Sequence, residues 1–161
     1  GRGQVGNHWE SEPGKNISMT VVFKLRELSA GQQFAVSMVI ALGACDFISR
    51  YVNRCSVKWP NDIYVGDRKI SGILIEHSIM GRYVGGSLCG IGVNINQEQF
   101  LSDAPNPVSL FQLLGRELPL QEVLEELLEC TESGFLVSID RGGDSCGAGV
   151  GGVAGLYWKA I

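Results

Sequence analysis

Two lysines, an amide and a carboxylate crowd the middle of this chain. Lys58-Trp59-Pro60-Asn61-Asp62 is followed, within a hairpin's reach, by Lys69-Ile70-Ser71-Gly72. A turn alone does not require this density of polar groups. Joining two anions does. A carboxylate that attacks the α-phosphorus of a nucleotide is repelled by it, and negative charge builds on the non-bridging oxygens as the bond forms. Cations fixed between the two lower that barrier most. Lys58, Lys69 and Arg2 are of the right type. Asn61 and Asp62 could fix a nucleotide and hold a magnesium ion, a hard cation that prefers oxygen ligands. Taken singly, each lysine reads better as a solvated strand end.

A second polar stretch opens the chain: Gly1-Arg2-Gly3-Gln4-Val5-Gly6-Asn7-His8-Trp9. Its glycines permit positive φ and close approach of a ligand. Arg2 offers a planar donor fork suited to carboxylate or phosphate. Trp9 could stack on a base. A mobile surface loop explains the same residues equally well.

These groups need elements to hold them. Ile17 to Phe23 reads as a strand, with β-branched residues in partial alternation. Ser29 and Gln32 have capping-box spacing, which predicts a helix to about Tyr51. Apolar residues on almost every side of that helix predict that it is largely buried. Ser56–Trp59, Ile63–Val65 and Lys69–Glu76 read as strands, with a tight turn at Gly66-Asp67-Arg68. A second turn near Met80-Gly81-Arg82 leads into a strand from Tyr83 to about Asn94. That strand carries Gly85, Gly86, Gly90 and Gly92. Glycine inside a strand marks a bulge or a close approach. Pro107 and Gly115 bracket a short helix. Leu120, Val123, Leu124, Leu127 and Leu128 give one apolar face of another, with glutamates opposite. From about Arg141 glycines crowd the sequence and periodicity fades. Strands and helices are mixed without strict alternation, which predicts a sheet with helices on one face.

Composition narrows the class. The chain has 161 residues, 45% hydrophobic and 19% charged, enough for one domain with a core. No apolar run approaches the roughly 20 residues of a bilayer span, so no membrane partner is expected. A net charge of -4 argues weakly against nucleic acid as the main partner. Five cysteines without CxxC spacing predict neither a disulfide framework nor a zinc site, but idle thiols in a reducing, cytoplasmic setting. Two histidines exclude a multi-histidine metal site.

Taken together the motifs are more specific than any one of them. GRGQVGNHW, KWPNDIYV, DRKISGILIE and GIGVNIN, in this order, resemble the catalytic domain of biotin protein ligases. The resemblance runs over 1-134, leaving 135-161 as an atypical glycine-rich tail. It implies an α+β fold like class II aminoacyl-tRNA synthetases: a mixed, mostly antiparallel sheet backed by helices. It implies an enzyme that makes biotinyl-5′-AMP from biotin and ATP with Mg2+, then transfers biotin to a lysine of a biotin carboxyl carrier protein. Gly1, Arg2 and Gly3 would form the loop over biotin and adenylate. Gln4 and Trp9 would lie by the nucleotide. Lys58, Asn61 and Asp62 would serve phosphates and magnesium, Asp62 as the metal ligand. Lys69 would bridge the biotin carboxylate and the α-phosphate. Gly72 and Gly90 would let biotin lie against the sheet, and Asn94 would contact adenine. Asp62 is a candidate helper in deprotonating the acceptor lysine.

Departures accompany the likeness. Gln4 and Asn7 stand where many members carry arginine, so fewer cations hold the intermediate. The upstream segment that binds biotin's ureido ring, a DNA-binding domain and a terminal β-barrel are not expected in this chain. Lipoate ligases share the adenylation logic and are the nearest rival; a binding remnant without turnover is another. Pairing of the glycine-rich strand edge to edge would make a homodimer.

Overall fold

A five-stranded sheet carries Lys58, Asp62, Lys69, Gly72 and Gly90, and Trp9, Asn61 and Asn94 lie in the segments beside it. The computed structural model describes residues 9–24, 28–102 and 106–141, with side chains through residue 133. Strands β1 (Ile17–Phe23), β2 (Cys55–Lys58), β3 (Asp62–Val65), β4 (Arg68–Met80) and β5 (Tyr83–Val93) pair in the order β1-β5-β4-β3-β2. Each pairing is antiparallel. The single parallel contact among the described residues is an isolated bridge between Lys69 and Pro107. The mostly antiparallel sheet expected from the motifs is present, with every pairing of its named strands antiparallel. Three consecutive hairpins build β2 to β5, and β1 closes the far edge.

Helix α1 (Phe34–Ser49) carries the chain from one edge of the sheet to the other. It packs on β2, β3 and β4, and helix α3 (Leu120–Arg141) packs along it. Between them lies one apolar cluster. The sheet contributes Ile17, Met19, Val21, Phe23, Ile63, Ile73, Cys89, Ile91 and Val93. These residues alternate along their strands, as side chains on one face must. The predicted stripe of α3 is used as drawn: Val123, Leu124 and Leu127 are buried, and Leu120 and Leu128 pack against them. At the α1–α3 crossing Gly43 is needed for close approach. A Cβ there would lie 2.8 Å from the Cys130 carbonyl oxygen and 2.8 Å from the Thr131 Cα. Helix α2 (Leu110–Leu114) starts at Ser109, whose side chain and that of Gln112 form a capping box, and ends at Gly115 in the left-handed conformation.

Several expectations need correction. Ser29 caps nothing with its side chain; a 3₁₀ turn over Ala30–Gln32 precedes α1, and Ser29 instead bridges Tyr83. Pro107 does not open a helix but sits against Lys69. α1 is buried on two sides, not all round: Phe34, Met38 and Leu42, spaced four apart, are exposed. The sheet and α3 cover the other faces. The segment Ala30–Ser49, with mean hydropathy 1.4, is long and apolar enough to cross a bilayer by length and composition, contrary to the absence of such a run expected above. Eight residues of α1 are instead buried in this core. The glycine-rich strand β5 is interior, hydrogen-bonded by β1 and β4, so it offers no edge for pairing. The boundary expected at residue 134 falls within α3, which runs on to Arg141. Residues 142–161 lie outside the described residues.

Candidate active site

The face of the sheet turned away from α1 is where the polar motifs meet. Register places Asp62, Gly72, Gly92 and Ser18 side by side across four strands. One row further along, Leu74, Gly90 and Thr20 are neighbours. The glycines leave a smooth strip of backbone between side chains of β3 and β1.

A bulge makes the constellation possible. Three residues apart, Lys69 and Gly72 of a regular strand would point to opposite faces. The β3–β4 register shifts between Ile63 and Tyr64: Ile63 faces Ser71 and Tyr64 faces Lys69, leaving Ile70 extra. Lys69 is thereby returned to the glycine face, and a Cβ on Gly72 would lie 3.5 Å from Lys69 Cε. Its ammonium pairs with the Asp62 carboxylate at 2.7 Å, both side chains being little more than a quarter exposed.

Lys69 is held through its backbone as well. Its N–H donates to the Asn106 carbonyl at 2.8 Å, and the Val108 N–H donates to the Lys69 carbonyl at 2.9 Å. Asn94 braces the same corner. Its N–H donates to the Ile70 carbonyl at 3.0 Å, and its Nδ2 donates to the Val108 carbonyl at 3.1 Å. Asn94 Oδ1 is buried and finds no hydrogen-bond partner among the described residues. Buried polar atoms are nearly always satisfied, so an orphaned acceptor asks for an explanation.

The hairpin from β2 to β3 brings in the remaining motif residues. Lys58 and Asp62 are register partners at its mouth, joined by Trp59, a cis-linked Pro60 and Asn61. Lys58 Nζ stands 4.7 Å from the centre of the Tyr64 ring, exposed to solvent. Asn61 is spent on β4: its Nδ2 donates to the Ile73 carbonyl and the Ile73 N–H donates to its carbonyl. The amide nitrogen of Asn61 thus fastens the hairpin to β4.

Trp9 lies over the glycine strip. A Cβ on Gly92 would come within 2.6 Å of its indole, and one on Gly72 within 3.1 Å. Lys69 Nζ is 5.9 Å from the ring centre. A Cβ on Gly90 would meet only Leu74, at 3.5 Å. The chain after Trp9 is anchored by a polar network. Glu10 accepts from the Leu101 and Ser102 N–H groups, each at 2.8 Å, and from Gln97 Nε2 at 3.2 Å. Hydrogen bonding from Ser102, then Leu101, holds the Glu10 carboxyl below its ordinary value. Asn16 takes the Ile95 N–H at 2.9 Å and donates to Gln97.

The structure thus brings Lys58, Asp62, Lys69, Gly72 and Trp9 to one face, with Gly90 on that face and Asn94 behind Lys69. Gly1, Arg2, Gly3 and Gln4 lie outside the described residues. Two features were missed in the sequence. Gly92 approaches the indole more closely than Gly72 does. Its signal was present, because Gly90 and Gly92 are two apart and must share a face. The clamp of Asn106 and Val108 on Lys69 had no local signal.

The family model described as "Biotin/lipoate A/B protein ligase family" matches residues 1–94. A bifunctional ligase/repressor BirA of Bacillus subtilis is 26% identical over 141 residues, covering 84% of this chain and 42% of that protein. A biotin–[acetyl-CoA-carboxylase] ligase of Paracoccus denitrificans is 34% identical over 97 residues, covering 59% of this chain and 40% of the relative. The solved biotin protein ligase of Aquifex aeolicus in complex with biotin and ATP superposes with a TM-score of 0.71 at 24% identity, over 84% of this chain and 56% of that one. The chain spans less than half the length of these curated relatives.

Proposed function

Because the chain belongs to the biotin/lipoate A/B protein ligase family, we propose that it is the catalytic part of a biotin protein ligase. It activates biotin with ATP to biotinyl-5′-AMP and passes biotin to a lysine of a carboxyl carrier protein, in a cytoplasmic setting. The observation that carries this reading is the Asp62–Lys69 pair set beside the Gly72–Gly92 strip. The Trp9 indole covers Gly72 and Gly92, and apolar biotin can pack beside it on the open backbone at Gly90, with its carboxylate reaching toward Lys69. The carboxylate attacks the α-phosphorus and pyrophosphate leaves. Two unit charges 4 Å apart interact by about 4 kcal/mol at an effective dielectric of about 20. A lysine between carboxylate and phosphate therefore converts a repulsion of that order into attraction.

Lys69 does this best because its backbone is clamped before substrate arrives. Such preorganised stabilisation costs no reorganisation when charge develops. Lys58 serves the outer phosphates from the exposed hairpin mouth, and Arg2 covers the intermediate. Asn94 Oδ1 is an acceptor suited to the adenine amino group. No group of three metal-ligating side chains occurs among the described residues. That suits magnesium carried largely by ATP phosphates and water, with Asp62 as its protein carboxylate. Bound there, the ion would supply further positive charge to the phosphates. In transfer, the acceptor lysine amine attacks the biotinyl carbonyl carbon, an amide forms as the acyl C–O bond breaks and AMP leaves, and Asp62 takes the amine's proton.

The test is direct detection of product. With biotin, ATP and magnesium, biotinyl-5′-AMP accumulates when no acceptor is present, as read by mass spectrometry. Formation of lipoyl-AMP instead would move the chain to the lipoate branch. Binding of biotin without either adenylate would leave only a binding module.

A further inference from the structure

We propose that Cys45 and Cys55 form an oxidisable dithiol that closes to a disulfide and ties helix α1 to the edge strand β2. Their sulfurs are 3.0 Å apart, about 1 Å beyond a disulfide bond length of about 2.05 Å. Both residues are half-buried, so a small oxidant can reach them while the partner sulfur stays close. The meeting is built into the backbone. Cys45 lies near the end of α1, where the Ser49 hydroxyl donates to its carbonyl at 2.8 Å. Cys55 opens β2 in register with Val65. Between them Arg54 takes a left-handed φ of 63°, unusual for a residue with a Cβ, and its carbonyl accepts the Gly66 N–H at 3.1 Å. That turn sends the chain from the helix end straight back beneath it. Cys89 and Cys130 are buried elsewhere, and Cys146 lies outside the described residues.

The oxidant is a small-molecule disulfide such as oxidised glutathione. One protein thiolate attacks it, forms a mixed disulfide and expels one thiolate. The second cysteine loses its proton, attacks the protein sulfur of the mixed disulfide and expels the other. One S–S bond breaks and one forms in the protein. Two electrons pass to the small disulfide, which leaves as two thiols carrying both protons. The inference is independent of the proposed ligase activity.

The bond would matter because β2 is an edge strand, paired only with β3, and three of its four residues are exposed. Closing the short loop between helix and strand raises the melting temperature by about 5–10 °C. The test equilibrates the protein across a series of oxidised-to-reduced glutathione ratios at neutral pH. The expected product loses the mass of two hydrogens. Its tryptic map, with cuts at Arg50 and Arg54, joins the Cys45 peptide to the Cys55 peptide, and reductant reverses both changes and the rise in melting temperature. Cys45→Ser and Cys55→Ser each abolish the mass loss, while Cys146→Ser keeps it. A persistent glutathione adduct on either cysteine, a map joining other cysteines, or no mass change at the most oxidising ratio overturns the proposal.

Discussion

Gly92 is the position at which a single methyl tests the geometry of the site. A Cβ built there meets the Trp9 indole at 2.6 Å, 2.8 Å and 3.0 Å. Carbon atoms in good contact stand about 3.5–4.0 Å apart, so the ring must lift by about 1 Å. The neighbour is the end of one side chain rather than backbone. Gly92→Ala should therefore fold. What changes is the strip itself. Overpacking a fitted contact costs about 1–3 kcal/mol, which at 1.4 kcal/mol per decade is about 5- to 140-fold in biotin affinity. Two readouts apply. Biotin affinity is measured by calorimetry. The Trp9 environment is followed by near-ultraviolet circular dichroism in a Trp59→Phe/Trp158→Phe background, where Trp9 is the one remaining tryptophan. Gly72→Ala, with 3.1 Å to the same ring, should give a smaller change in the Trp9 signal. Gly90→Ala, which meets only Leu74, should leave that signal unaltered. Wild-type biotin affinity and an unchanged Trp9 signal in Gly92→Ala would refute the reasoning.

The remaining predictions concern the scaffold. Gly43→Ala forces a methyl against α3 backbone at 2.8 Å; it should destabilise by about 1–3 kcal/mol, lowering the melting temperature by several degrees in a thermal scan. Glu10→Gln removes a carboxylate whose folded value is depressed by Ser102 and Leu101. Stability from that carboxylate is fully present above its ordinary value of 4.5 and is lost as pH falls through the lower folded value. The gap in melting temperature between wild type and Glu10→Gln should therefore narrow in acid; a gap that widens there would contradict the assignment.

Local signals read well where one element answers one pattern. The alternation of Ile17–Phe23 marks β1 residue for residue, and the stripe from Leu120 to Leu128 marks the buried face of α3. Signals failed where tertiary contacts decide. The capping-box spacing at Ser29 was overridden by its bridge to Tyr83. The bulge at Ile70, which turns Lys69 onto the glycine face, depends on pairing with β3 and leaves no mark in the spacing. The Asn106–Val108 clamp spans nearly forty residues of chain from Lys69. No spacing rule anticipates the approach of Cys45 and Cys55, because it depends on the helix end and the edge strand meeting. Nothing in the spacing shows that the Asn61 amide nitrogen also fastens the turn to Ile73. Polar motif residues at a hairpin mouth can serve the fold and the site together, and only the contacts separate the two roles.

The most direct test of the central claim is biotin-dependent exchange of labelled pyrophosphate into ATP, compared between wild type and Lys69→Ala. The site as described predicts exchange with biotin and none with lipoate in the wild type. It predicts a loss of about 100- to 1,000-fold in Lys69→Ala, with the melting temperature little changed because the Lys69 clamp is made by backbone groups. Exchange at the wild-type rate in Lys69→Ala, in a folded protein, would contradict it.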